Sequence, residues 1–307
     1  MSVQQPGVQT ESQQGGTQAL PYSENPPVRS SLPSQIIRSL KQIGWGTQMA
    51  LQTRSLVIPR LLWLRWRTPA RSGGIFRFPF GPVRYNDAAS LLSLYLEIFL
   101  QHGYEVNGLN EAPFIIDCGS NIGLSALWFK QRYPKARLTA FEADPAIADI
   151  LEENIRTHRL QAVEVVRAAV SECSGSVTFI PDGTVSGRVG EGPGVSVPAV
   201  RLSDHIAGQL VDLLKIDIEG SEYGVVRELC ESGQIRQVKH IICEVHGNSE
   251  VQEQIAELWS HLSQAGFHLV VHEARIIPEL PGPEEPTPFT GATCAKFLMW
   301  MYAWRPR

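Results

Sequence analysis

The sequence predicts an α/β fold, with helices on both faces of a mostly parallel sheet whose last strand runs antiparallel. From residue 114 onward, apolar strand-like segments alternate with amphipathic helical segments, as is typical of a parallel sheet covered on both sides. The last two strand-like segments, FHLVVHE and CAKFLMWMYAW, break this alternation. The Pro-rich segment between them is too poor in helix formers for a crossover, so we expect the final strand to run antiparallel, at or near the sheet edge.

Residues 1–110 precede this alternating region and differ from it in composition. Residues 1–34 are rich in Gln, Ser, Pro and Gly and are expected to form a disordered leader. Residues 35–110 are expected to form a basic amphipathic extension followed by a helical cap. Within them, residues 35–72 should be helical in pieces and broken near Pro59, GGIFRFPFGPVRYND should be a hairpin or extended, and AASLLSLYLEIFLQHGYEV should be a helix.

Residues 111–307 supply the strands and helices of the main domain. Five strands are expected before the final pair, one ending at Asp117 and four others: ARLTAFEADP, VEVVRAAV, VDLLKIDIEG and HIICEVH. Helices are expected from about Ile122 to Tyr133 and over AIADILEENIRTHRL, SEYGVVRELC and SEVQEQIAELWSHLSQAG. The second of these helices has a start signal, with Asp144 as N-cap and Pro145 at the first position. GSVTFI and VSVPAVRL are expected to form a β excursion.

Charge and cysteine usage limit the classes of partner. The net charge is -4, yet residues 25–86 hold ten Arg or Lys residues and no Asp or Glu. The acidic body argues against nucleic acid as a partner. Five scattered cysteines without a C-x-x-C pair indicate reduced thiols, and neither a secretory signal nor a membrane-spanning run is apparent. A cytoplasmic location is therefore expected.

The cluster LVIPRLLWLRWR, within residues 35–72, has two interpretations. Its Trp and Leu residues can insert into an anionic membrane while its Arg residues bind the head groups, which would give a peripheral membrane contact. Alternatively, an amphipathic helix packs on the body of the protein or on a second subunit. The sequence leaves both interpretations open, and it leaves the oligomeric state open too.

The segment FIIDCGSNIGLSALWF, residues 114–129, places an acid and two glycines between a strand and a helix. Ligands of open parallel sheets bind beyond the carboxyl ends of the strands, where Gly119 and Gly123 permit close backbone approach and the helix N-terminus attracts anions. A dinucleotide site would show G-x-G-x-x-G, whereas Asp117 here would repel a pyrophosphate. S-adenosylmethionine fits better, because its ammonium group suits Asp117 and its carboxylate suits the helix N-terminus.

Glu142 ends the second predicted strand and suits the ribose of such a ligand. A carboxylate there can accept hydrogen bonds from both ribose hydroxyls, in NAD sites as well as in S-adenosylmethionine sites. The alternative for Glu142 is a solvated loop acid. Ala169 can leave room for the adenine, although core packing explains an alanine equally well. Ser120, Asn121 and Asp217 complete the predicted cofactor-binding set.

The run DCGSNIGLSALWF…LTAFEADPAIADILEENI…VDLLKIDIEGSEYGVV…HIICEVH resembles the FkbM-type methyltransferases, a branch of the class I S-adenosylmethionine-dependent enzymes. The resemblance covers roughly residues 114–246, and LLKIDIEGSE is its most specific part. AFEADP stands where the family usually has AFEPNP, and DCGSNIG where DVGANIG is usual. The resemblance implies a Rossmann-like seven-stranded sheet of order 3-2-1-4-5-7-6, with residues 111–307 as the methyltransferase domain. It also implies O-methylation of a hydroxyl on a sugar, a polyketide or another natural product.

Acids and one histidine are expected on the acceptor side of the site. An alcohol must lose its proton as it attacks a methyl group, so a general base is expected. By period-two alternation, the fourth strand presents Lys215, Asp217 and Glu219 on one face, and the neighbouring fifth strand presents Glu244 and His246. His246 is the first candidate base because its ordinary pKa of about 6.5 suits proton abstraction near neutral pH. Asp217 and Glu219 are the alternatives.

No metal site is predicted, since the eight histidines show no zinc-binding spacing and the resemblance implies no metal. One alternative stays open: Asp217, Glu219 and Glu222 could hold Mg²⁺, which prefers carboxylate ligands and could polarise a hydroxyl. The acceptor pocket is expected in residues 73–110, 181–194 and 278–292.

Two other functions compete with methyl transfer. An NAD-dependent oxidoreductase would share the strand-end acid, but the third glycine of its motif is missing. A membrane-associated, non-catalytic binding module would use residues 35–72 as its anchor and carry a degenerate cofactor fold. The intact motif argues against such decay.

Overall fold

The computed structural model describes residues 56–184, 186–248, 250–277 and 296–306. The predicted leader and the predicted acceptor segment 278–292 lie outside the described residues. The helices, in chain order, are α1 (Val57–Arg67), α2 (Ala88–Tyr95), α3 (Leu124–Arg132), α4 (Pro145–Thr157), α5 (Leu202–Ile206), α6 (Glu222–Glu231) and α7 (Gln252–Gln264). A π-helix, Leu96–Leu100, continues α2, and a short 3-10 helix, Gln234–Gln237, follows α6.

The strands belong to a hairpin, a main sheet and a smaller sheet. In chain order they are β1 (Gly74–Phe78), β2 (Gly81–Tyr85), β3 (Phe114–Cys118), β4 (Arg137–Phe141), β5 (Val163–Val166), β6 (Ala169–Ser171), β7 (Gly175–Ile180), β8 (Arg188–Val189), β9 (Val195–Arg201), β10 (Leu213–Ile216), β11 (His240–Gly247), β12 (His268–Ile277) and β13 (Lys296–Trp304). The predicted hairpin is β1–β2, which pairs antiparallel.

The main sheet has the order β12-β13-β11-β10-β3-β4-β5. Numbered along the chain and read from its other edge, this is the order 3-2-1-4-5-7-6. Within the described part of the chain, β13 is the strand that runs antiparallel to its neighbours, β11 and β12. The predicted α/β fold, with seven strands and an antiparallel last strand, is therefore confirmed. β13 lies one position inside the sheet edge.

The third predicted strand, VEVVRAAV, is split between two sheets. β5 pairs with β4 in the main sheet, whereas β6 pairs with β9 in a four-stranded sheet of order β6-β9-β7-β8. The chain turns between them, where the N–H of Ala168 donates to the carbonyl of Val166 at 3.0 Å. The prediction of one continuous strand is therefore wrong, but the predicted β excursion is present as β7 and β9.

Apolar side chains cover both faces of the main sheet. Alternation along β3 sends Ile115 to one face and Ile116 to the other. The first face packs against α3, the hairpin and the cap formed by α1 and α2. The second face packs against α5, α6 and α7. Helices therefore lie on both faces, as the apolar strands predict.

Helix α1 packs one of its faces onto the body of the protein. Val57 and Leu61 are buried, whereas Trp63 and Trp66 are exposed. Pro59 lies in the first turn, where its missing N–H leaves no hydrogen bond unmade, so α1 is not broken at this residue. Membrane contact through residues 35–72 stays a prediction. Among the described residues, no helix combines the length and the apolar character that crossing a bilayer requires.

A buried asparagine joins the hairpin to the main domain. Asn154, on α4, is 1% exposed. Its amide oxygen accepts from the N–H of Arg84 at 2.8 Å, and its amide nitrogen donates to the carbonyls of Arg84 at 2.9 Å and Ile122 at 2.8 Å. One side chain thus satisfies backbone groups of β2 and of the loop before α3.

Replacing Asn154 by alanine should lower the free energy of unfolding by about 2–4 kcal/mol, because three hydrogen bonds are lost and buried backbone groups are left without partners. Urea denaturation followed by circular dichroism measures the loss. Arg156→Ala, at an exposed position of the same helix, is the control and should change the stability by less than about 0.5 kcal/mol. A similar small change for Asn154→Ala would contradict the joining role.

Candidate active site

A cavity of about 240 Å³ lies at the carboxyl ends of β3, β4, β10 and β11, between the cap and the smaller sheet. This is the edge at which open parallel sheets bind ligands. Eight of the predicted site residues line it: Gly119, Ser120, Asn121, Glu142, Ala169, Asp217, Glu219 and His246. The other two predicted site residues, Asp117 and Gly123, are not among the described residues that line it.

The two glycines of the loop after β3 serve packing within the protein. Gly119 has a φ of +82°, and a Cβ there would lie 1.9 Å from the carbonyl oxygen of Asp217. Gly123 has a φ of +88°, and a Cβ there would lie 2.7 Å from Leu151 on α4. The glycines therefore let the loop pack against β10 and α4. The predicted ligand contact is corrected for Gly123, which faces α4.

The N–H groups of the same loop already have partners in the chain. Those of Gly119 and Ser120 donate to the carbonyl of Phe141 at 3.1 and 2.9 Å. The N–H of Asn121 donates to Glu142 at 2.8 Å, and that of Ile122 donates to the side chain of Asn121 at 2.8 Å. The loop is thus fixed to the end of β4, and these N–H groups are not free to bind a ligand. The contact between the ligand carboxylate and the N-terminus of α3, which begins at Leu124, stays a prediction.

Asp117 lies beneath the cavity floor, paired with a buried lysine. Its side chain is completely buried. One carboxylate oxygen accepts from the hydroxyl of Ser125 at 2.6 Å, and the other lies 3.3 Å from the Lys215 ammonium. Because Asp117 is completely buried and is not among the described residues that line the cavity, the structure does not support the predicted direct contact with a cofactor ammonium, which stays a prediction.

Lys215 connects the ends of β3 and β10. Its ammonium group lies 3.2 Å from the carboxylate of Asp217 and donates to the carbonyl of Gly119 at 2.7 Å. Burial alone would lower the pKa of Lys215, but the charges of Asp217 and Asp117 outweigh it and raise the pKa above its ordinary value. The lysine is therefore a permanent cation in the floor of the cavity.

Glu142 is a cavity carboxylate held by the backbone. It is 8% exposed, and its oxygens accept from the N–H groups of Asn121 at 2.8 Å and Asp144 at 2.9 Å. Burial raises the pKa of Glu142 to about 7, and these two hydrogen bonds partly offset the effect. Each oxygen keeps a second lone pair for a ligand hydroxyl. Glu142 is thus a positioned acceptor rather than the solvated loop acid of the alternative interpretation.

His246 lies among carboxylates beside the ends of β10 and β11. Its Nδ1 is 3.1 Å from an oxygen of Glu222, and its Nε2 is 3.4 Å from Glu219 and 3.7 Å from Glu244. The predicted convergence of these strand-end residues at one rim is confirmed. However, β10 ends at Ile216, and Glu219 reaches His246 through a turn in which its own φ is +54°, not by strand alternation.

Glu222 holds this turn and orients the histidine. It is completely buried at the start of α6. Its oxygens accept from the N–H groups of Ile218 at 3.1 Å and Gly220 at 2.9 Å, and one of them also contacts His246 Nδ1. Because these interactions occupy the Glu222 carboxylate inside the protein, Glu222 does not suit the predicted role of a magnesium ligand.

The charges around His246 change its pKa, on which its predicted role as general base depends. Burial alone would lower the pKa of His246, but the hydrogen bond to Glu222 and the charges of Glu222, Asp217 and Glu219 raise it to about 10. The argument that His246 is a base because of its ordinary pKa therefore fails in this environment. Burial raises the pKa of Glu219 to about 7, although His246 partly offsets the effect. The choice among the three predicted bases stays open.

The segment that follows α2 supplies two cavity residues that the sequence does not predict. Glu97, on the π-helix, and Tyr104 both line the cavity, and the Tyr104 hydroxyl donates to Glu97 at 3.0 Å. An acid inside the apolar run LYLEIFL is the signal that could have identified Glu97. Both predicted acceptor segments within the described residues, 73–110 and 181–194, contribute to the cavity wall.

Comparison with known proteins identifies a family for this region. The profile described as "Methyltransferase FkbM domain" matches residues 117–269. The match starts at Asp117 and runs past His246 to β12, so it includes the glycine loop, Glu142 and the carboxylates around the histidine.

Three relatives are similar over parts of the chain. Methyltransferase sdnD of Sordaria araneosa is 28% identical over 225 residues, 61% of this chain and 85% of that protein. Methyltransferase 1 of Beauveria bassiana is 30% identical over 177 residues, 48% of this chain and 71% of that protein. The 2-O-methyltransferase NoeI of Sinorhizobium fredii is 32% identical over 139 residues, 37% of this chain and 56% of that protein.

Lys215→Met should lower the free energy of unfolding by about 3–5 kcal/mol, because it leaves the carboxylates of Asp117 and Asp217 without their buried cation. Adding Asp117→Asn in the same chain should recover part of the loss, since one of the two unpaired charges is then removed. Urea denaturation measures both variants.

Lys135→Met is the matched control for this substitution. Lys135 is exposed and pairs with Glu111 at 3.2 Å, so its loss should cost at most about 1 kcal/mol. If Lys215→Met cost no more than this control, the buried ion pairs would not hold the site together.

Proposed function

The chain belongs to the FkbM methyltransferase family and is a methyltransferase, and on this premise we propose that it transfers the methyl group of S-adenosylmethionine to a hydroxyl oxygen of a sugar-containing or other small-molecule acceptor. The observation that supports S-adenosylmethionine as the donor is Glu142, a buried carboxylate of the cavity that follows β4 and keeps free lone pairs. The observation that carries the acceptor is the group of carboxylates around His246.

The residues of the cavity fit the chemical parts of this donor. Glu142 can accept both hydroxyls of a ribose. Phe141, Ile147 and Ala169 give the cavity apolar walls that suit a flat adenine ring. The carboxylates of Asp217 and Glu244 also line the cavity and suit a positive charge. A diphosphate, by contrast, finds no loop N–H groups in residues 119–122, since these donate within the chain.

When bound, S-adenosylmethionine supplies an electrophilic methyl group on a sulfonium, which leaves as a neutral thioether and needs no acid. The protein's task lies on the acceptor side, where a hydroxyl oxygen forms the new C–O bond and gives up its proton. Carboxylates of the His246 cluster are positioned to accept hydrogen bonds from that hydroxyl and to take its proton. The similarity to NoeI, a 2-O-methyltransferase, supports an oxygen as the methylated atom.

Glu142→Gln should weaken the binding of S-adenosylhomocysteine and remove the pH dependence that we expect for the unmodified protein. Burial raises the pKa of Glu142 to about 7, although the backbone N–H groups of Asp144 and Asn121 partly offset the effect. Near this pH a proton must leave before both oxygens can accept from the ribose. Affinity should therefore rise about tenfold from pH 6 to pH 8. Isothermal titration calorimetry across this range measures it.

Glu164→Gln, at an exposed position of β5, is the matched control and should bind as the unmodified protein does. Titration with NADH in the same experiment tests the competing oxidoreductase. Binding of NADH without binding of S-adenosylhomocysteine would overturn the proposed donor.

Methyl transfer to oxygen is tested with a donor carrying a ¹³C-labelled methyl group. The protein is incubated with fractionated glycans and small metabolites, and mass spectrometry finds the labelled products. We expect the label on a hydroxyl oxygen, which NMR distinguishes from N-methyl and C-methyl groups, and we expect Glu142→Gln to reduce it strongly. Label found on nitrogen or carbon alone would contradict the acceptor chemistry.

A further inference from the structure

We propose that Asp217, Glu219 and His246 bind a divalent metal ion at the wall of the cavity. Each of the three offers one ligand atom, and the three atoms lie within 4.8 Å of one another. Ligands at neighbouring positions of an octahedral ion are about 3 Å apart, for bonds of about 2.1 Å. Rotation of the partly exposed side chains of Asp217 and Glu219 would close this difference. The sequence predicts no metal site, and its one alternative set contained Glu222 in place of His246.

The histidine is oriented as a metal ligand is. Its Nδ1 faces Glu222 at 3.1 Å, and Glu222 is itself fixed by the N–H groups of Ile218 and Gly220. Metal-binding histidines generally donate their second ring N–H to a carboxylate in this way, which fixes the tautomer and the ring orientation. The remaining nitrogen, Nε2, points towards Glu219 and Glu244.

Glu244 gives an independent indication that a polar partner is missing at this place. It is 9% exposed, and its Oε2 is buried with no hydrogen-bond partner among the described residues. Its other oxygen is 3.7 Å from His246 Nε2. A buried carboxylate oxygen without a partner is costly. A cation beside His246, or a water molecule bound to that cation, would supply the partner.

The ligand set indicates the class of ion. Two carboxylates favour hard ions such as Mg²⁺ and Mn²⁺, and the imidazole adds affinity for a transition ion. Mn²⁺ fits both requirements. With three protein ligands, the ion keeps positions open towards the cavity, where it could bind the acceptor oxygen and lower the pKa of its hydroxyl. This catalytic role rests on the proposed function, whereas binding of the ion does not.

The experiment titrates Mn²⁺ into the full chain after chelator treatment and follows free Mn²⁺ by electron paramagnetic resonance. We expect one saturable Mn²⁺ site per chain. Glu219→Gln and His246→Gln should each weaken it more than about tenfold, with unchanged circular dichroism. The control Glu172→Gln, at an exposed acid paired with Arg227, should leave the affinity unchanged.

The outcomes separate this proposal from the proposed function. Absence of a saturable site, or a site that both Glu219→Gln and His246→Gln leave intact, would overturn the metal proposal even if S-adenosylhomocysteine binds. A Mn²⁺ site sensitive to these variants supports it, even in a protein that does not bind S-adenosylhomocysteine. If both ligands bind, methyl transfer should be lost in chelator and restored by Mn²⁺.

Discussion

The site depends on one buried cation, Lys215, which lies between Asp117 and Asp217. In the parallel pairing of β3 with β10, Lys215 and Asp117 are direct neighbours, so the strand register itself creates the ion pair. The same ammonium group donates to the carbonyl of Gly119. It therefore holds the end of β3, the glycine loop and the end of β10 together. Without it, the completely buried carboxylate of Asp117 and the partly exposed carboxylate of Asp217 would both lose their cation.

The remaining site geometry follows from that anchor. Gly119 packs against the Asp217 carbonyl so closely that no Cβ fits, which brings the loop over β10. The loop N–H groups then reach the end of β4, where Phe141 and Glu142 accept them. Glu142 is thus placed by the loop and not by β4 alone. Three successive strand ends become one rigid wall, and the cavity lies above it.

Much of this arrangement could be predicted from the sequence, because strand ends and alternation are local properties. They identify Glu142, Asp217 and His246 as residues of one sheet edge. Depth is not local. Asp117 and Lys215 are neighbours on adjacent strands. Only the packing of α3 and the position of Ser125 show that the Asp117 carboxylate lies beneath the cavity. The joining role of Asn154 is likewise not visible in the sequence, because its partner Arg84 lies 70 residues away.

The balance of charge around His246 limits how the cavity can promote attack by a hydroxyl. The ion-paired group around Lys215 and His246 holds five acids against these two cations: Asp117, Asp217, Glu219, Glu222 and Glu244. Burial raises the pKa of Glu219 to about 7 and that of Glu244 to about 10, which reduces the excess of negative charge without removing it. A net negative field raises the pKa of a hydroxyl and so opposes the formation of an alkoxide. The cluster can therefore promote attack by the hydroxyl in two ways. Either a carboxylate takes the proton itself as the C–O bond forms, or a bound cation reverses the field at the oxygen. In both cases the positive charge of the donor is neutralised as the methyl group is transferred. Attraction between the carboxylates and the sulfonium alone would therefore stabilise the ground state more than the transition state. To speed the reaction, the carboxylates must act on the acceptor.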